Sequence, residues 1–144
     1  MLLQDQQSHE EICIQKYSSY AQQASDPQLK QLFNSYAQQE QTHLNTINQI
    51  LQGQVPQMQQ GSGSQQMGQM GLIQSSNFGG KDDEALCNDM LMSEKYVSSA
   101  YNTAIFEFQD TNVRQALNHI QKEEQGHGEG IFNYMKQKGW YQPQ

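Results

Sequence analysis

The sequence contains few of the features that define several large classes of protein. Its 144 residues include only two cysteines, too few for a disulfide framework. Its formal charge of −7 at pH 7 comes without a basic stretch, which argues against nucleic acid as a partner. No stretch approaches the roughly 18 consecutive apolar residues of a membrane-spanning helix. We therefore expect no disulfide scaffold, no nucleic-acid binding and no membrane insertion.

The first residues also lack the features of a secretory signal. They read Met-Leu-Leu-Gln-Asp, with neither a positively charged flank nor a long apolar run. We therefore expect synthesis in the cytoplasm without a signal peptide.

The composition is lean in hydrophobic residues, which make up 35% of the chain, while glutamine accounts for roughly a fifth. A chain of this length suffices for one domain with a single core, if its apolar residues are placed efficiently. Cys13 and Cys87 both fall on predicted core faces, so we expect them to act as small buried hydrophobic side chains.

Two helical blocks flank a low-complexity middle segment. Residues 53–80 are rich in Gly, Gln, Ser and Met without any apolar period, which predicts a flexible connection. Capping residues around Asp26-Pro27 and Asp110-Thr111 each predict a turn between two helices. The predicted helices span residues 4–24, 27–52, 82–109 and 111–138.

The connection between the blocks is long enough to cross a helical bundle. Its 28 residues reach up to about 90 Å when extended, whereas a helix of about 25 residues is roughly 37 Å long. The sequence therefore predicts a single all-α domain, residues 1–144, with a ferritin-like four-helix bundle. Antiparallel hairpins over residues 4–52 and 82–138 would be joined by a long crossover.

The two hairpins match each other at a constant offset of 84 residues, with no gap. The matched pairs include Glu10 with Glu94, Tyr17 with Tyr101, Asp26 with Asp110, Glu40 with Glu124, and His43 with His127. One register that aligns the turns and the acidic residues predicts a duplicated hairpin.

Each predicted helix carries a glutamate in the middle of its apolar stripe, unlike an ordinary surface helix. Counting the helix rise from each turn puts the lone glutamate and the Glu-x-x-His pair of a hairpin at nearly the same level. Four buried carboxylates need compensation, which two divalent cations provide. Oxygen and nitrogen donors without thiolate favour Fe or Mn over a structural Zn site. The predicted metal ligands are Glu10, Glu40, His43, Glu94, Glu124 and His127.

Other residues near these positions leave alternatives open. The hydroxyls of Tyr17 and Tyr101 are expected to hold carboxylates of the opposite hairpin. Three glycines around His127 indicate either a distorted turn that serves the site or a site under no selection. Glu11 competes with Glu10, and only the repeat register favours Glu10. The residues interpreted as solvated or surface-exposed are Glu11, Glu123, Glu129 (also a candidate acid on an entry path), His9 and His119.

The segments SEKY, YNTAIFEF and NHIQKEEQGHGEGIFNYM resemble the Coat F family of spore coat proteins from endospore-forming bacteria, from about Asp82 to Tyr141. The resemblance implies a ferritin-like fold and a structural place in the spore coat, after synthesis in the mother cell. It implies other coat proteins as partners, and we also expect a homo-oligomer. It does not imply an enzyme. The alternatives are a di-iron or di-manganese redox enzyme, either a ferroxidase or a peroxide scavenger, and a metal-free bundle with protonated or hydrated carboxylates.

Overall fold

The computed structural model describes residues 2–54 and 81–140, which form four α-helices and, within those ranges, no β-strand. In chain order, the first helix pairs with the second and the third with the fourth, which gives two hairpins. The first helix also packs against the third, and the second against the fourth. This arrangement is the predicted all-α four-helix bundle. None of the described helices is long and apolar enough to cross a membrane. The helices are α1 (Leu2–Gln23), α2 (Pro27–Leu51), α3 (Lys81–Ile105) and α4 (Thr111–Gln137).

Both predicted helix starts after the turns are capped as the sequence indicates. The Asp26 carboxylate accepts a hydrogen bond from the Gln28 backbone N–H at 3.0 Å, and Pro27 occupies the first helical position. The Asp110 carboxylate accepts from the backbone N–H of Asn112 at 2.8 Å. These caps fix where α2 and α4 begin, and hence the level of their glutamates.

Buried Asp83 ties the second hairpin to the first turn. Its carboxylate accepts hydrogen bonds from the backbone N–H groups of Ser25 at 2.8 Å and Asp26 at 3.0 Å. Backbone donors that no helix satisfies are thereby paired, which avoids the free-energy cost of leaving them buried and unbonded. The contact fixes the start of α3 against the α1–α2 turn.

The helices α2 and α4 end in the same way. Gly53 and Gly139 adopt φ of +88° and +77°, a backbone conformation that L side chains rarely adopt. The next backbone N–H, of Gln54 or Trp140, then reaches back five residues to a helix carbonyl at 2.8 and 2.9 Å, respectively. From residue 55 to residue 80 the predicted connection lies outside the described residues.

The prediction that α3 extends to residue 109 was wrong, because the helix ends at Ile105. The next residues form tight turns, with the backbone N–H of Phe108 donating to the Ile105 carbonyl at 3.3 Å. This bend lets Phe108 pack on the core while Phe106 is 74% exposed. Burying one phenylalanine ring offsets the loss of a last helical turn.

The core consists of two hydrophobic clusters separated by a polar layer. One cluster, which includes Phe33 and Met135, lies toward the α1–α2 turn. The other, which includes Ile47 and Leu117, lies toward the α3–α4 turn. Both cysteines are buried and free, as predicted. A polar layer across an otherwise apolar core requires compensation of its charges, and it is where the predicted metal ligands lie.

Candidate metal centre

The polar layer is formed by all six residues that the sequence predicts as metal ligands. The structure brings them together from four helices, and none is more than 2% exposed. Glu11, the alternative to Glu10, is exposed and points away from the layer. The six residues are Glu10 from α1, Glu40 and His43 from α2, Glu94 from α3, and Glu124 and His127 from α4.

The six side chains form two overlapping groups, in each of which the ligand atoms lie within 4.8 Å of one another. Glu40 and Glu124 belong to both groups, so we call them the shared carboxylates. We call the group completed by Glu10 and His43 the first position, and the group completed by Glu94 and His127 the second position. Two positions bridged by carboxylates are the arrangement that two adjacent metal ions require.

Both histidines turn the same ring nitrogen toward the carboxylates. His43 Nδ1 lies 3.0 Å from Glu40 Oε1 and 3.2 Å from Glu124 Oε2. His127 Nδ1 lies 3.2 Å from both Glu40 Oε2 and Glu94 Oε2. A cation among these atoms would therefore meet carboxylate oxygens and one imidazole nitrogen at each position, a donor set suited to Fe or Mn.

The outward ring nitrogen of each histidine is held by a residue that the sequence analysis did not assign to the site. His43 Nε2 lies 2.7 Å from Glu123 Oε1, and His127 Nε2 lies 2.7 Å from Gln39 Oε1. Such partners orient a ligating imidazole and fix its tautomer. Glu123 was predicted to be solvated, but it is only partly exposed and is bound to His43. Its position directly before Glu124, matching Gln39 before Glu40, was the available signal.

The two tyrosines form reciprocal contacts between the hairpins. The Tyr17 hydroxyl donates to Glu94 Oε2 at 2.5 Å, and the Tyr101 hydroxyl donates to Glu10 Oε2 at 2.5 Å. Each therefore lies on a carboxylate of the opposite hairpin. Because both tyrosines are fully buried, these bonds also satisfy their hydroxyls inside the bundle.

Tyr36 is a further residue at the site that the sequence analysis did not single out. Its ring stacks on His127 with centroids 4.1 Å apart and an interplanar angle of 24°. A Cβ at position 130 would collide with the Tyr36 hydroxyl, so Gly130 makes room for this ring. The helix α4 is continuous from Thr111 to Gln137, so this glycine does not mark a break in the helix. Its role is to let the Tyr36 ring lie close to the α4 backbone.

Burial and mutual contacts shift the pKa values of the metal-free cluster. Burial raises the pKa of Glu40, Glu94 and Glu124 to about 7. Burial acts in the same direction on Glu10, but the nearby His43 imidazole and the shared carboxylates lower its pKa to about 2. Burial alone would lower the pKa of both histidines, yet the surrounding carboxylates raise it well above 6.5. Protons thus compensate the buried charges, in the place that cations would take.

Three carboxylate oxygens of the cluster still have no hydrogen-bond partner among residues 2–54 and 81–140, and all three are buried. They are the Oε1 atoms of Glu10, Glu94 and Glu124. Buried oxygens of this kind normally have a partner. Their chemistry fits hard divalent cations, so the residues present suit two such ions.

A groove of about 590 Å³ runs between α3 and α4 and reaches the centre. Its walls include two of the six cluster residues, Glu94 and Glu124, together with Ser98 and Gly128. Glu129, interpreted from the sequence as a candidate acid on an entry path, also lines this groove. The groove therefore connects the surface with carboxylates of the second position.

The fold and the polar layer define a ferritin-like bundle whose core carries carboxylate and imidazole groups able to hold metal ions. The model of the Coat F domain matches residues 82–144, and the model of a domain of unknown function (DUF2383) matches residues 3–107. The chain therefore belongs to the family of that domain of unknown function, whose model covers most of its length, and its second hairpin is similar to the Coat F domain.

One curated relative matches the chain. It is the uncharacterized protein YusN of Bacillus subtilis (strain 168), which is 35% identical over 60 residues covering 42% of this chain and 54% of YusN. The chain thus spans about half the length of that relative. No solved structure matches the chain.

Proposed function

We propose that the chain is a structural component of the bacterial endospore coat whose bundle holds two divalent metal ions, Fe or Mn. The match of residues 82–144 to the Coat F domain supports a place in the coat. The single observation that carries the metal proposal is the pair of shared carboxylates, Glu40 and Glu124, with one histidine at each position. In this proposal the chain is made in the mother cell and assembles with other coat proteins and with copies of itself.

The metal ions would compensate four buried carboxylates and join the hairpins. Glu40 and Glu124 would contribute to both positions, Glu10 and His43 would complete the first position, and Glu94 and His127 would complete the second. Because ligands from all four helices would meet the ions, metal binding would stabilise the folded bundle by mass action. A coat component would gain resistance to unfolding in this way, with no reaction needed.

A redox enzyme is the second candidate, and the groove that reaches Glu94 and Glu124 favours it. A bound pair of iron or manganese ions would supply redox chemistry, in which dioxygen or peroxide accepts the electrons that ferrous iron loses, or in which peroxide is disproportionated to dioxygen and water. The contribution of the chain would be to hold the two positions side by side and to keep them inside an apolar core. Tyr17 and Tyr101 would orient the carboxylates of Glu94 and Glu10 through their hydroxyl hydrogen bonds.

Elemental analysis of protein purified without chelators tests the metal proposal. We expect about two Fe or Mn ions per chain, and fewer than about one would contradict it. Iron-oxidation and peroxide-consumption assays on the loaded protein then separate the structural role from the enzymatic one. Fractionation of spores tests the location, since a chain absent from coat extracts would contradict the coat assignment whatever its metal content.

A further inference from the structure

We propose that the groove between α3 and α4 is the route by which small oxygen- or nitrogen-donor ligands reach the second metal position, whereas the matching places of the first hairpin carry larger side chains. This inference rests on the proposed metal binding. Among the six cluster residues, the groove walls contain Glu94 and Glu124. Glu124 is shared, but Glu94 belongs to the second position alone. The groove thus distinguishes two positions whose ligands are of the same type.

The hairpins differ at the positions that line this groove. Ser98 and Gly128 line it in the second hairpin, and the matching residues of the first hairpin, 84 positions earlier, are Ile14 and Leu44. Ile14 and Leu44 are half-buried branched side chains, whereas serine and glycine leave space. The first hairpin therefore fills the region that the second hairpin leaves open.

Gly128 lines the groove, and the absence of a side chain there leaves a small space between α4 and the α3 residues Leu91 and Glu94. A Cβ added there would lie 3.8 Å from Leu91 Cδ1 and 3.9 Å from Glu94 Cβ, which is ordinary van der Waals contact. One methyl group therefore fits, and a larger side chain would fill the space next to Glu94. A gap of that size admits ligands of a few atoms, such as peroxide or azide.

Polar atoms along the route suit such a ligand. Ser98 Oγ is buried and has no hydrogen-bond partner within the described chain, and the same is true of Glu94 Oε1 and Glu124 Oε1. A small ligand with donor and acceptor atoms can pair with the serine hydroxyl on its way to a metal ion. Ile14, at the matching place in the first hairpin, offers no such group.

Azide binding to the cobalt(II)-loaded protein tests this route, because the visible absorption of cobalt reports a change of ligands without any turnover. In the unmodified chain we expect azide to perturb one of the two cobalt ions. In Gly128→Leu the rate of that change should fall about tenfold or more, equivalent to about 1.4 kcal/mol in the barrier. Cobalt content is measured separately and should remain near two per chain.

Gly126→Leu is the matched control, since it makes the same substitution in the same helix at an exposed site with no atom within 4 Å of an added Cβ. It should bind azide as fast as the unmodified chain. Ser98→Ile, which copies the first hairpin, provides a second blocking variant if Gly128→Leu does not fold. Two bound cobalt ions with equal azide rates in all variants would overturn the route alone. A chain that takes up no cobalt would overturn both the route and the metal proposal.

Discussion

The two hairpins present the same residues to the centre and different residues around it. Each provides one glutamate, one Glu-x-x-His pair and one tyrosine whose hydroxyl binds a glutamate of the other hairpin. Behind the histidines, the first hairpin supplies neutral Gln39 and the second hairpin supplies acidic Glu123. On the outer faces, Ser98 and Gly128 occupy the places that match Ile14 and Leu44.

The likeness and the differences between the hairpins have separate causes. One set of residues places the central side chains, and another set determines the basicity and the solvent access of each position. Matching ligands require only that the helices reach the centre at matching levels, which the capped turns ensure. The surrounding residues govern how basic each imidazole is and how solvent reaches each position. We therefore expect the two metal positions to share their ligand types and to differ in affinity and in access.

Loss of a shared carboxylate should have the largest effect. Glu40→Ala and Glu124→Ala each remove a donor from both positions, so we expect both metal ions to be lost. Glu10→Ala and Glu94→Ala each affect one position, so we expect about half of the metal to remain. The measurement is metal content per chain by mass spectrometry, on variants whose helical circular dichroism is unchanged.

Glu11→Ala is the control for these variants, because Glu11 neighbours Glu10 but is exposed. It should retain the metal content of the unmodified chain. Equal losses from Glu10→Ala and Glu40→Ala would show that the division into shared and separate carboxylates is wrong.

Exchanging the partner of a histidine should have the next largest effect. The Glu123 carboxylate lies 2.7 Å from His43 Nε2 and makes that imidazole a stronger donor. Glu123→Gln copies the first hairpin, and we expect the affinity of the first position to fall about 10- to 100-fold. Competition with a chelator of known affinity measures the two binding constants.

The reverse substitution, Gln39→Glu, provides the complementary test at His127. It should raise the affinity of the second position and leave the first unchanged. If Glu123→Gln weakened both positions equally, Glu123 would act through overall charge and not through His43.

The burial of the six acidic and histidine residues at one level could be predicted from the sequence because helix period and turn position determine it. The stripe around Glu40 and the rise from Asp26 need no tertiary information, and the repeat register resolved Glu10 from Glu11. The partners Glu123 and Gln39 could not be predicted in this way, because each contacts a histidine of the other hairpin. Such contacts depend on how two helices cross, which neither helix encodes by itself.

Two other features depended on packing in the same way. The helix α3 ends where Phe108 folds onto the core. The apolar stripe continues beyond that point in the sequence, so it did not predict where the helix ends. Gly130 is required by Tyr36, which comes from a different hairpin. Helix period thus predicts which side chains face inward, but not which side chains from separate helices touch.

The pH dependence of the metal-free chain should distinguish Glu94 from Glu10, although they occupy matching places. Burial raises the pKa of Glu94 from 4.5 to about 7. Between those values the folded chain keeps a proton that the unfolded chain has released, so stability falls as pH rises through this window. The free energy of unfolding should therefore fall between about pH 5 and pH 7, and Glu94→Gln should reduce that fall by on the order of 1 kcal/mol or more. Urea denaturation of chelator-treated protein measures it.

Glu10→Gln is the comparison for this experiment. Burial would raise the pKa of Glu10, but the nearby His43 imidazole and the shared carboxylates lower it to about 2. Its contribution to stability is therefore present above about pH 4.5 and is lost only as the pH falls toward 2. Glu10→Gln should leave the Glu94 part of the decline between about pH 5 and pH 7 in place and flatten the rest only slightly, because the Glu10 charge also raises the pKa values of Glu40 and Glu124. An equal flattening in both variants would contradict the assignment.

The smallest expected effect concerns two glycines of α4. Gly126→Ala should stabilise the chain by about 1 kcal/mol, because alanine favours a helix and an added Cβ meets nothing within 4 Å. Gly130→Ala should instead destabilise the chain by about 1 kcal/mol, since its Cβ would displace the Tyr36 hydroxyl. Urea denaturation of both variants, together with Gly130→Ala in a Tyr36→Phe background, gives the coupling between the two sites.

Removal of the hydroxyl should restore the gain at position 130, because the collision involves that atom. The matching pair has no such requirement, since Thr46 of the first hairpin matches Gly130 and Ile120 of the second hairpin matches Tyr36. An equal gain from Gly126→Ala and Gly130→Ala would mean that Tyr36 can move away without cost. The stacking of Tyr36 on His127 would then impose no requirement for glycine at position 130, and it would not count as a difference in packing between the two positions. A gain at position 130 that appears only with Tyr36→Phe would instead make this ring a built-in difference between the two hairpins.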